Sequence, residues 1–218
     1  MSTFGAFGKI PDLGDFFRHN LSPKFVQPYD EWLQSAMIAG RETLGPHWEE
    51  AYMSAPIWRF TLTPGMAGPQ AMSGILMASV DRVGRQYPLT LVAPHAAQNP
   101  ALVHFANRTV FEQLEDIALQ MLDDTGRRDA LLAALETVQL IVPEGAAMAS
   151  VPYVGPLPAA QVLAAEAVTR TQGEGAIWST MMASDHRLMT SKTLPQGAEM
   201  RALFDLNAPL WTGGGGLF

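Results

Sequence analysis

The chain contains no cysteine, which excludes disulfides, thiolate zinc sites and cysteine nucleophiles. It has no apolar run approaching the roughly 18–20 residues that span a bilayer as a helix, and no cluster of lysines and arginines. Membrane insertion is therefore not expected. With 14 basic residues against 21 acidic ones, the formal net charge is −7. Nucleic-acid binders normally display a basic face, so DNA and RNA are not expected partners. Charged residues make up only 16 % of the 218 positions, whereas 48 % are hydrophobic. That composition is unlike a disordered chain and supplies one well-buried core. The length fits a single domain over residues 1–218. The opening MSTFGAFGKIPDLGDFFRHN lacks a basic segment leading into an apolar one, and lacks a small-residue cleavage pattern. The cytoplasm is the expected compartment.

What is present reads as alternating strands and helices. Phe4 to Ile10 predicts a short strand, stopped by Pro11 and a turn at Leu13–Gly14–Asp15. Ser22 followed by Pro23 is a helix-start signal, since the hydroxyl caps free backbone N–H groups and proline lacks one. Pro28 is expected to interrupt that turn. After it, Tyr29, Trp32, Leu33, Ala36 and Met37 follow a helical stripe to about Gly40. Short apolar runs bounded by turn residues predict strands at Ile57–Leu62, from Gly74–Met77 towards Val80, and at Leu89–Ala93. Asn99–Pro100 opens a helix whose stripe is Val103, Ala106, Val110, Leu114, Ile117 and Met121, ending at Gly126. A second helix is expected over about Asp129–Val138, a loop over Ile141–Pro158, and an alanine-rich helix to about Thr169. Gly175–Trp178 begins a late strand with a partner at Leu188–Thr190, and Met200, Leu203 and Phe204 mark a last short helix. The glycines at 213–216 predict a flexible tail over about 210–218. Strands near both ends with helices between them imply α/β layering.

Catalytic motifs are missing. Gly8–Lys9 fails as a phosphate loop, because Thr3 stands at the first glycine position and Ile10 where a Ser or Thr would reach magnesium. No G-x-S-x-G elbow surrounds a serine, and His47–Trp48–Glu49–Glu50 lacks the second histidine of a zincin. The glycine-rich tail has no strand before it and no helix after it, so it is no dinucleotide fingerprint. No cofactor is expected. The five histidines, His19, His47, His95, His104 and His186, are scattered.

Two groups of charges stand out among apolar residues. Asp12, Asp15, Arg18 and Asp30 lie among Phe16, Phe17, Phe25 and Trp32, and Asp81–Arg82–Val83–Gly84–Arg85 directly follows a predicted strand. Buried charges need partners. One reading is an internal network, Asp15 or Asp81 with Arg82 or Arg85, that fixes a loop against the sheet. A second is a recognition surface comprising Gly14, Asp15, Arg18, Asp30, Asp81, Arg82 and Arg85, where an arginine fork holds a carboxylate or phosphate. A third is a metal site made from Asp12, Asp15 and Asp30. Trp32, Trp48 and Trp58 fit core positions better than interface anchors.

Phe7–Gly8–Lys9–Ile10–Pro11, Gly14–Asp15–Phe16 and Tyr29–Asp30–Glu31–Trp32–Leu33–Gln34 resemble the opening of the TagF/ImpM family. The resemblance continues through Pro56–Ile57–Trp58–Arg59–Phe60 and Gly74–Ile75–Leu76–Met77, and is strongest from Ser79 to Leu89. Weaker echoes are Trp178–Ser179 and Leu203–Phe204. Tyr29 stands where tryptophan is usual, and Gln86–Tyr87 replaces a basic or aromatic pair.

The resemblance implies a three-layer α-β-α sandwich, here expected with a mixed central sheet. It implies a non-catalytic, post-translational regulator of a bacterial type VI secretion system, usually a repressor, in the form without a phosphatase domain. The implied partners are type VI secretion proteins, foremost a forkhead-associated scaffold linked to a threonine kinase and phosphatase pathway. Alternatives are a metal- or phosphate-dependent hydrolase built on Asp12, Asp15, Asp30 and the Asp81–Arg85 segment, or a structural component of the apparatus.

Overall fold

A computed structural model of the chain describes residues 3–97, 99–123, 126–143, 158–182 and 185–212. The expected loop over Ile141–Pro158 lies largely outside these residues, as does most of the flexible tail expected over about 210–218. The first residues of that tail, 210–212, are instead helical, with Trp211 stacked on Trp58 at 5.8 Å and donating to the Ala202 carbonyl. Strands β1 (Gly5–Gly8) and β2 (Phe17–His19) form the first hairpin, followed by α1 (Pro23–Leu44). The Ser22 side chain accepts the Lys24 backbone N–H at the start of α1, as the Ser–Pro signal implies. Pro28 does not interrupt the helix. It removes a single N–H near the helix start, and the Lys24 carbonyl left without that donor is approached by Gly68, where a Cβ would lie 2.6 Å from it.

A 3-10 turn at Gly45–His47 leads into α2 (Trp48–Met53). Next come β3 (Trp58–Leu62), β4 (Ala71–Met77) and β5 (Leu89–His95). All three read as apolar runs because both of their faces are covered. The long helix expected after Asn99 is two, α3 (Pro100–Ala106) and α4 (Arg108–Gln120). The break falls at Asn107, fully buried. Its amide donates to the carbonyls of Val103 and Ile141 and accepts the Ile141 N–H, each at 2.7–2.8 Å. These bonds to a remote segment compete with helix continuation. Then follow α5 (Arg128–Thr137), α6 (Ala159–Gln172), β6 (Ala176–Met182), β7 (Asp185–Ser191), α7 (Gly197–Phe204) and α8 (Pro209–Thr212).

The seven strands form one sheet in the order β2-β1-β5-β4-β3-β6-β7. The α/β layering holds, with one correction: every pairing between named strands is antiparallel rather than mixed. β6 runs opposite to β3, and hence to β5, so the connection through α3–α6 re-enters the sheet at the end from which it left. A single crossover helix would return the chain to the other end and make a parallel pair. The outermost strands carry charge, Arg18 on β2 and Asp185 and Arg187 on β7, which discourages edge-to-edge pairing.

One sheet face, with Trp58, Phe60, Met72, Leu76 and Trp178, packs against Tyr29 and Leu33 of α1, Tyr52 of α2 and Leu203 of α7. The opposite face, with Ile75, Leu89, Leu91 and Ala93, packs against Val110, Leu114 and Ala118 of α4 and Leu131 of α5. A smaller cluster joins Leu102 of α3, Val162 of α6 and Ile177 of β6. Among the described residues no helix is long and apolar enough to cross a membrane.

Candidate functional site

The loop between β4 and β5 is organised by Asp81, which is buried although its neighbours Arg82, Val83 and Arg85 are exposed. The Asp81 carboxylate accepts from Lys9 Nζ at 3.0 Å and from Arg85 Nε at 2.6 Å. It also accepts the backbone N–H groups of Val83 at 3.1 Å and Arg85 at 2.9 Å. Burial disfavours the charged carboxylate, but these donors outweigh it and hold Asp81 well below the usual carboxylate range. The turn closes at Gly84, whose φ of +80° suits glycine. Arg82 N donates to the Leu13 carbonyl at 3.0 Å, and Arg85 Nη2 donates to the Gly14 carbonyl. The β1–β2 turn and the β4–β5 loop are thereby knotted together.

Of the residues singled out from sequence, Gly14, Asp81, Arg82 and Arg85 meet in this knot. Asp30 sits beside it: it accepts from the Tyr87 hydroxyl and from Gln34 Nε2, the latter at 2.9 Å. Burial and the adjacent Asp30 push the Tyr87 hydroxyl far up. Asp15 accepts only the Phe16 N–H, at 2.8 Å, and Arg18 on β2 has no ion pair among the described residues. Asp12 turns elsewhere, accepting the Arg128 N–H at 3.1 Å. Asp12, Asp15 and Asp30 thus have separate partners, and no group of three metal-ligating side chains occurs among the described residues. The indole N–H groups of Trp32, Trp48 and Trp58 donate to the Pro195 carbonyl, the Gln86 side chain and the Leu203 carbonyl, as befits packed positions.

The knot presents a particular surface. The Arg82 guanidinium has no hydrogen bond or ion pair among the described residues and lies over Gly14, 3.2 Å from where a Cβ would sit. Val83 is 70 % exposed and Phe16 47 %. Phe16 is held in place by an edge contact to Tyr87, with centroids 4.6 Å apart, and by Lys9 Nζ, 4.7 Å from its ring centre.

Lys9 was missed as the partner of Asp81; its signal was a lysine within the apolar run expected as a strand from Phe4 to Ile10. A second polar assembly was missed altogether, on the sheet face toward α3 and α4. His95 Nε2 lies 3.0 Å from Ser73 Oγ, which lies 2.8 Å from Thr61 Oγ1. Thr61 Oγ1 is 3.1 Å from His104 Nδ1, and His104 Nε2 is 2.9 Å from Ser179 Oγ. Burial lowers His95 to a pKa of about 4; burial, then the nearby Arg59, lowers His104 to about 3. Arg59 is itself buried and forms a bidentate pair with Glu115 at 2.6 and 2.8 Å.

The architecture defines a single-sheet antiparallel α-β-α protein, and it is shared with the crystal structure of PA0076 from Pseudomonas aeruginosa PAO1. The two superpose with a TM-score of 0.78 at 30 % identity, over 94 % of this chain and 96 % of the other. Residues 5–138 match the TagF N-terminal domain, Type VI secretion system-associated. The chain belongs to this TagF family and is associated with type VI secretion. No curated protein matches it.

Proposed function

We propose that the chain is a non-catalytic cytoplasmic regulator of a type VI secretion system, of the repressing kind, which binds a forkhead-associated scaffold or another apparatus component. The observation that carries this reading is the unpaired Arg82 guanidinium beside exposed Val83 and Phe16, on a loop fixed from within by Asp81. A pre-organised arginine beside apolar side chains suits protein recognition, since little ordering entropy is lost on docking. The separate partners of Asp12, Asp15 and Asp30 support binding over hydrolysis.

The test is affinity capture from the native bacterium's cytoplasm, comparing the wild type with an Arg82→Glu/Val83→Asp variant of unchanged fold. Recovery of the forkhead-associated scaffold with the wild type alone is the expected result. Equal recovery with both forms would remove the surface assignment. Recovery of no secretion-system protein with either would overturn sequestration.

A further inference from the structure

A cavity of about 310 Å³ lies outside the Asp81 knot, between the start of α4 and the β6–β7 hairpin. Its lining includes Arg59, His104, Arg108, Ser179, His186 and Arg187, together with apolar Phe105, Phe111 and Leu188, and no carboxylate among the described residues. Arg108 is engaged by Glu112 at 2.9 Å, and Arg187 by Asp185, the Leu206 carbonyl and the ring of Trp211.

Arg59 is 5 % exposed, and Glu115 occupies its Nε and Nη2. Among the described residues its remaining nitrogen, Nη1, bonds only to the Met181 sulfur, at 3.3 Å. A thioether is a weak acceptor for a buried cation's N–H groups.

The direction of the hydrogen-bond chain behind the cavity follows from one contact, the 3.4 Å approach of the Ala97 N–H to His95 Nδ1. His95 Nδ1 accepts the Ala97 N–H, so neutral His95 carries its proton on Nε2 and donates to Ser73. Ser73 must then donate to Thr61, and Thr61 to His104 Nδ1. His104 in turn carries its proton on Nε2 and donates to Ser179 Oγ. The Ser179 hydroxyl, already accepting, keeps its own proton to donate, and it lines the cavity. Arg59 Nη1 and the Ser179 hydroxyl are thus both donors at the cavity wall.

We propose that this cavity binds a small oxyanion, a carboxylate or phosphoryl group, through Arg59 Nη1 and the Ser179 hydroxyl. Its volume, at the lower end of small-molecule sites, suits a short organic acid or phosphate ester whose apolar part rests on Phe105 and Leu188.

The test is titration of the full chain with inorganic phosphate and with succinate, followed by nitrogen-detected NMR of the arginine and histidine side chains. Saturable shifts at Arg59 and His104 with at least one anion are expected. Affinity should fall about tenfold in Ser179→Ala, and stay unchanged in Lys24→Ser, an exposed position at the start of α1 on the opposite face of the sheet. Which anion binds distinguishes a carboxylate from a phosphoryl ligand. His95 and His104 should both show the Nε2-protonated neutral form. The proposal is overturned by an absence of saturable shifts with both anions, by wild-type affinity in Ser179→Ala, or by an Nδ1-protonated histidine.

Discussion

Lys9 and Asp81, 72 positions apart in the chain, meet at 3.0 Å with both side chains almost wholly withdrawn from solvent. One lies just beyond β1 and the other in the β4–β5 loop, so the pair couples the two segments that carry the exposed arginine surface. A buried pair is weak evidence for net stability compared with apolar replacement, but breaking one partner away leaves a charge stranded. Lys9, Asp81 and Arg85 therefore matter unequally to the knot.

Asp81→Asn should be the most damaging change in the knot, because it leaves the Lys9 ammonium buried without its carboxylate. Lys9→Met should cost less, since Asp81 retains Arg85 and two backbone N–H donors. Arg85→Ser should cost least, because that side chain is 58 % exposed and water can replace it. Urea midpoints for the three variants give the order directly. A midpoint for Arg85→Ser below that of Asp81→Asn would contradict it.

Arg82→Glu should leave stability within about 0.5 kcal/mol of the wild type, the usual range for an exposed side chain without partners. Only its backbone N–H, which donates to Leu13, ties it to the knot. Thermal unfolding measures this, and a fall of several degrees would mean that the guanidinium supports the loop instead of facing a partner.

How much of this was legible in the sequence follows the distance between partners. The start of α1 depends on Ser22 and Pro23 alone, and it could be read. Asp81 and Arg85 are four residues apart, so their pairing was among the readings; Lys9, reached only through the β1–β5 pairing, was not. The apolar stripe from Val103 to Met121 gave no sign of the break at Asn107, because the competing bonds come from Ile141. The His95–Ser179 chain was hidden for a similar reason. Arg59 and Thr61 alternate with Trp58 and Phe60 on β3, and Ser73 lies opposite Thr61 only in the observed register. A polar line across several strands has no signature within any one of them.

Gly40 offers a test of packing against propensity. Alanine is favoured over glycine inside a helix by about 1 kcal/mol. A Cβ at this position, however, would lie 2.2 Å from the Trp48 ring. That ring is 5 % exposed and anchored by its N–H to Gln86 at 2.7 Å, so it has little room to yield. Overpacking of this kind costs about 1–3 kcal/mol. Gly40→Ala should therefore destabilise the protein despite the better helix former, and should change the tryptophan emission. A more stable variant with unchanged emission would show that α1 and α2 shift apart freely.

The two buried histidines make stability depend on pH in a definite direction. Their folded pKa values, about 4 for His95 and about 3 for His104, lie below the ordinary value of about 6.5. Between these values the unfolded chain takes up protons that the folded chain refuses, so unfolding gains as pH falls. The stability is fully present above pH ~6.5 and should be lost by about 1.4 kcal/mol per pH unit for each histidine below it. That loss runs down to the folded pKa values and then levels. Asp81 adds its own loss only as the pH falls below the usual carboxylate range, since its folded pKa is depressed. The interval from pH 6.5 to 5 is thus the place to look. Urea unfolding across it should show a steep decline in the wild type and a shallower one in a His95→Asn/His104→Gln variant. Equal slopes would mean that neither imidazole is kept neutral by the fold, and the fixed direction of the Ser73–Thr61 chain would fall with it.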